Sequence, residues 1–319
     1  MQQKSKLSNR KNNKKRIVFI FSLLIVLLIV VEVFLRMYYG FCDTVLIRKD
    51  SEYEYIAQPN QDRFRFRNRI IYNSMSMRSD EIDSSSHIIL GFGDSVINGG
   101  VLTDQDSLAT GLLSKELSIL YGHNVQFLNI SAGSWGPDNC YAYLQKHGDF
   151  NAKSIYLVVS SHDAYDNMNF EEIVDIHKSF QSRQYKFAIW ELFDRYAVSR
   201  IDNLINNQKI PESESLGINK KKEDSEFNTG FSSFFEYSKA KKIPLTIYLH
   251  AEKEEFEAEK YNEQGQEIIN FATTNGIPLI TDLDNELDVS DFNDRIHLSN
   301  RGQKKMATRI LNSIKNERK

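Results

Sequence analysis

From His87 onward short apolar runs alternate with amphipathic segments, and that alternation constrains the fold more than any other feature of the chain. The runs "HIILGFG", "NVQFLNIS", "KSIYLVVSS", "IPLTIYLHA" and "IPLITDL" read as strands. Between them, "DQDSLATGLLSKELSILYG" predicts a helix with Leu108, Leu112, Leu113, Ile119 and Leu120 as its buried stripe. "GPDNCYAYLQKHGDF" predicts a short helix, and "NEQGQEIINFATTNG" one that ends at a C-cap glycine. A last helix, "QKKMATRILNSIKN", follows "DRIHLSNRG". Strands separated by helices pair in parallel and are covered on both faces. The expected fold over residues 87–319 is therefore α/β, a three-layer α/β/α arrangement around a mainly parallel sheet. Residues 169–228 form an insertion, with a helical portion around "FAIWELFDRYAVSRI" and a polar tract, "NNQKIPESESLGINKKKEDSE", expected to be mobile.

The N-terminus is of a different kind. Residues 1–16 carry seven Lys and Arg and no acidic residue, and residues 17–36 begin with "IVFIFSLLIVLLIVVEVFL". At about 1.5 Å per residue this run spans a hydrocarbon core of about 30 Å. The following "RMYYGFCD" has no A-x-A cleavage pattern, and Phe41 before Cys42 does not suit a lipoprotein-type site. The reading is an uncleaved single-pass anchor in the lipid bilayer. Its basic flank lies in the cytoplasm and everything beyond Arg36 lies outside. A net charge of −3 gives no case for nucleic acid.

Residues 37–86 form a polar, aromatic lead-in. There "RFRFRNR" places Arg63, Arg65, Arg67 and Arg69 on one face of a strand. That face is either an edge strand defended by charge or a cradle for an anionic glycan or lipid head group. Cys42 and Cys140 are the only cysteines and have no metal-ligand spacing, so neither a metal nor a cofactor is expected.

In an open parallel sheet the binding crevice lies beyond the carboxyl ends of the strands. Four loops leave such ends: "GFGDSVINGG", "NISAGSWGPDN", "SSHDAYDN" and "SDFNDRIHLSN". In the first, Gly91 and Gly93 mark a sharp exit from the strand, and Ser95 is either a helix cap or a nucleophile. A nucleophilic serine needs a base, and His297 is the natural candidate because imidazole titrates near neutral pH. Asp294, three residues earlier, can orient it. Of the remaining histidines only His250, closing a strand, is a serious reserve. The oxyanion needs preorganised donors. The Ser95 amide, an amide from Gly133 or Ser134, and a side chain from "SSHDAYDN" are available.

These blocks resemble the SGNH, or GDSL-like, hydrolase superfamily over about residues 87–316. "GDS" at 93–95 is similar to its nucleophile block, and "DRIHLSNRG" to its closing block. The resemblance implies a flavodoxin-like SGNH fold with Ser95 as nucleophile, His297 as base and Asp294 as orienter. It places His162 where the family carries the asparagine that completes the oxyanion hole, and it leaves Gly133 and Ser134 as alternatives for the second amide. The anchor, the aromatic lead-in and "SWGP" are similar to the envelope-associated branch, whose members remove or transfer acyl groups on surface polysaccharides.

The expected function is an extracytoplasmic serine esterase or O-acyltransferase acting on acylated carbohydrate. Polysaccharide-assembly membrane proteins are candidate partners. Trp135 either stacks on a sugar or anchors its loop, and Asp163 is a candidate substrate contact. The alternative from another class is a non-catalytic, membrane-tethered glycan-binding component.

Overall fold

The computed structural model describes residues 2–198, 226–283 and 287–317. Five parallel strands form the central sheet: β5 (His87–Gly93), β6 (Val125–Ser131), β7 (Ser154–Ser160), β8 (Leu245–His250) and β9 (Leu279–Thr281), in the spatial order β6-β5-β7-β8-β9. Counted from the first core strand this is 2-1-3-4-5, the flavodoxin-like order. Its switch point lies between β5 and β7, where Gly93 pairs with Val158.

Side-chain alternation along the strands separates two cores. Ile88, Leu90 and Phe92 of β5 face one layer, covered by α4 (Pro137–His147), α6 (Thr229–Lys241) and α8 (Glu263–Asn275). Ile89, Phe127 and Val158 face the other, covered by α3 (Ala109–Tyr121) and α9 (Asn300–Glu317). Within α3 the buried stripe is Ala109, Leu113 and Leu117. Ile119 and Leu120, expected inside, are exposed; Ile119 stands about 200° round the helix from buried Leu117, on the opposite face.

The lead-in is two antiparallel hairpins: β1 (Ile47–Asp50) with β2 (Glu54–Ala57), and β3 (Gln61–Arg65) with β4 (Asn68–Tyr72). The run "RFRFRNR" is therefore not one strand. Phe66 and Arg67 adopt left-handed φ of 48° and 68° and form a two-residue turn. The arginines part company across it. Arg69 stays exposed with Asp62, whereas Arg65 is buried, ion-paired to Glu191 at 2.7 Å and flanked by the rings of Phe41 and Phe66. Arg65 also donates to the Gly40 carbonyl at 2.9 Å, and the Cys42 amide donates to the other Glu191 oxygen at 2.6 Å. This cluster fastens the lead-in to α5 (Ala188–Leu192) of the insertion. The polar tract of the insertion lies largely outside the described residues.

At the N-terminus α1 (Gln2–Tyr39) contains one segment, Asn13–Tyr39, long and apolar enough to cross a membrane, with none of its apolar window buried against the rest of the chain. Cys42 and Cys140 are both free thiols, and Cys140 is buried.

Candidate active site

Ser95 opens a single helical turn, α2 (Ser95–Asn98), at the carboxyl end of β5. Buried Asp94 caps that turn, its Oδ1 accepting from the Val96 amide at 2.8 Å. The cap function thus belongs to Asp94, which leaves the Ser95 hydroxyl and the first-turn Ser95 amide uncommitted by helix bonding. Gly91 lies inside the strand, and Gly93 is its last residue, at the exit. A Cβ on Gly93 would stand 2.4 Å from the Val158 carbonyl oxygen, so the residue is glycine because neighbouring backbone approaches it. The turn itself is made by Gly99 and Gly100, both with positive φ.

The closing block brings Asp294 and His297 together. His297 Nδ1 donates to Asp294 Oδ2 at 2.7 Å, while Oδ1 accepts from the amides of Ile296 and His297 at 3.0 and 2.8 Å. Burial pushes the Asp294 carboxyl up, but these three donors outweigh it and bring its pKa down to about 2. With Nδ1 taken by Asp294, Nε2 is the nitrogen left for other partners, and His297 and Ser95 both line a cavity of about 330 Å³. The reserve histidine, His250, is fully buried. Its Nδ1 meets Asp282 Oδ2 at 2.5 Å and its Nε2 meets the Ile296 carbonyl at 2.9 Å. It holds the loop that carries His297 and has no free nitrogen for a substrate.

His162 lies on the same cavity wall, beyond the end of β7. Its Nδ1 is 3.2 Å from Glu252 Oε1, and its Nε2 is 3.7 Å from Asp163 Oδ1 and 3.9 Å from Asp94 Oδ2. Burial alone would lower its pKa. The Asp163, Glu252 and Asp94 carboxylates more than offset that and raise it from 6.5 to about 10. The net effect favours the imidazolium, whose Nε2–H is a charged donor where the family carries a neutral amide, while burial and Asp94 push the Asp163 carboxyl up.

Asp94, His162 and Asp163 offer one ligand atom each within 4.8 Å of one another. With Nδ1 turned to Glu252, the histidine's share of that trio is Nε2.

Gly133 and Ser134 both border the cavity, next to Ala132. Tyr55 of the lead-in donates its hydroxyl to their carbonyls at 2.8 and 3.2 Å, which fixes the loop's orientation. Trp135 is 1% exposed, donates Nε1–H to the Tyr55 carbonyl at 2.9 Å and packs edge-on against Tyr53. It anchors the loop and presents no face to a sugar. Asp163, 1% exposed, accepts from the Ser160 amide at 2.6 Å and is equally withdrawn from substrate.

Three contributors escape sequence reasoning. Arg78, buried in the lead-in, donates to the carbonyls of Asn98, Gly100 and Thr103 and so sets the loop after Ser95, with burial lowering its pKa to about 10. Glu252 and Asp94 supply charge around His162. Asp94 is adjacent to Ser95 and could have been found there. Arg78 and Glu252 sit in ordinary polar contexts with no motif. Val45, Ile47, Tyr72, Val101 and Phe180 give part of the cavity's lining an apolar character.

No family model matches this chain, and no curated protein matches it. Among solved structures it is similar to a two-domain esterase active on acetylated mannans, with 8% identity and a TM-score of 0.40. The match covers 72% of this chain, which spans about half the length of that one, 48%. It is also similar to the psychrotrophic esterase EstA from Pseudoalteromonas sp., with 12% identity, a TM-score of 0.39 and coverage of 72% and 98% of the two chains. A third is the lipase/acylhydrolase from Enterococcus faecalis, with 14% identity, a TM-score of 0.40 and coverage of 72% and 96%.

Proposed function

We propose that the protein is a serine esterase of SGNH type, anchored in the membrane by residues 17–36 and acting on acyl esters of cell-envelope glycans. The observation that carries this reading is the bonded Asp294–His297 pair on the wall of the cavity that Ser95 also lines. His297 Nε2 takes the Ser95 proton as Oγ attacks the ester carbonyl, then returns it to the leaving alcohol. Water, deprotonated by the same nitrogen, releases the acid from the acyl-enzyme. The carbonyl oxygen becomes negative in both steps. The Ser95 amide, an amide of Gly133 or Ser134, and the His162 imidazolium stand around the cavity as its donors. The apolar part of the lining suits the acyl group, and the adjoining span suits an envelope substrate.

The test is incubation of the full-length protein in detergent with p-nitrophenyl acetate, followed by acid quench and peptide mass analysis. An acetyl adduct on the Ser95 peptide and loss of turnover in Ser95→Ala support the reading. Unchanged turnover in Ser95→Ala overturns it.

A further inference from the structure

The insertion begins against the outer end of the apolar helix. Both oxygens of the Glu32 side chain accept backbone amides at the start of α5, from Ala188 at 2.8 Å and Ile189 at 2.9 Å. Arg36 donates to the Lys186 carbonyl at 2.6 Å, and Leu35 is buried with Ala188. These contacts fix α5 beside the last turns of α1. Yet α5 and its two flanking residues leave their bulkiest apolar side chains uncovered: Phe187 is 65% exposed, Trp190 56% and Phe193 47%. The rings of Trp190 and Phe193 lie 5.9 Å apart, so they form one patch. Tyr38 and Tyr39, in the last turn of α1, are also exposed. Tryptophan, tyrosine and phenylalanine gathered at the end of a membrane span are the composition of the bilayer's interfacial belt, where amphipathic rings bury apolar area at the head-group boundary.

We propose that Phe187, Trp190 and Phe193 insert into the phospholipid interface beside the span and give the protein a second membrane contact. The proposal rests on the reading of α1 as a membrane anchor. It also sets the position of the catalytic cavity. His177, Phe180 and Arg195, from the same insertion, line that cavity, so its wall is held at the bilayer surface. Substrates presented at the membrane reach it without leaving the interface.

Trp190 is its own reporter, because the only other tryptophan, Trp135, is buried. The full-length protein is reconstituted in phosphatidylcholine vesicles with and without bromines near the head-group end of the acyl chains. The expected result is that bromolipid removes the Trp190 share of the emission and leaves that of Trp190→Phe unchanged. Equal emission of the wild type in both vesicles, or equal quenching of wild type and variant, overturns the proposal. Alkaline carbonate extraction of the same vesicles reads the anchor separately. Protein retained with unquenched Trp190 removes the patch and leaves the anchor. Protein released with unquenched Trp190 removes both.

Discussion

His250 Nε2 is bonded to the carbonyl oxygen of Ile296, the residue before His297, at 2.9 Å. With Nδ1 on Asp282, both ring nitrogens face acceptors. Burial pushes the His250 pKa down, but Asp282 and the Ile296 carbonyl outweigh it, so the net shift is upward. His250→Ala strands a buried carboxylate and is expected to cost about 3–5 kcal/mol of stability. Urea unfolding measures this. Turnover of the folded variant should lose kcat more than it gains KM, because the loop that aims His297 has lost its tie.

If Ser95, His297 and Asp294 act as one unit, their losses do not add. Ser95→Ala and the double variant with His297→Ala are expected to be equally inactive. Asp294→Asn is expected to lower kcat on the order of 10³–10⁴-fold by misplacing the imidazole proton. Ester hydrolysis rates decide both.

The same carboxylate has a stability signature. Its pKa is lowered from 3.8 to about 2, so its contribution is present above 3.8 and is lost as pH falls through about 2. The stability gap between wild type and Asp294→Asn should close over that window in chemical denaturation at fixed pH.

At His162 the sign is opposite. A pKa raised from 6.5 to about 10 makes its stabilisation complete below 6.5 and removes it as pH rises through about 10. His162→Ala should lower kcat by about 10²–10³-fold, as for loss of one oxyanion donor. kcat of the wild type should fall as pH passes about 10, and His162→Asn, with an uncharged donor, should lack that limb. kcat followed on both sides of that value is the measurement.

Arg78→Met removes the donor shared by three carbonyls of the loop after Ser95. Hydrogen bonds from charged groups contribute about 1.5–3 kcal/mol each, so losing three is expected to cost about 4.5 kcal/mol or more of unfolding free energy, read from chemical denaturation.

The parts legible in the sequence are those with a local signal. Strands β5 to β8 announce themselves as apolar runs, and Ser95 and the Asp294–His297 pair as short blocks at strand ends. What was hidden depends on distant partners. Nothing near Arg65 announces Glu191, 126 residues away, and a turn at Phe66–Arg67 carries none of the glycine or asparagine that usually marks one. Trp135 was open between sugar and core because its partner, the Tyr55 carbonyl, belongs to the lead-in. The protonation of His162 depends on Glu252, which follows a different strand.

The cavity draws its walls from Thr44 at one extreme and His297 at the other. Contacts that far apart in sequence carry the largest loop-closure entropy and form late. Synthesis delivers Ser95 long before the imidazole it needs, so during most of its assembly the chain carries an unpartnered, inert hydroxyl. On the proposed triad, reactivity would wait until the last strand and helix dock.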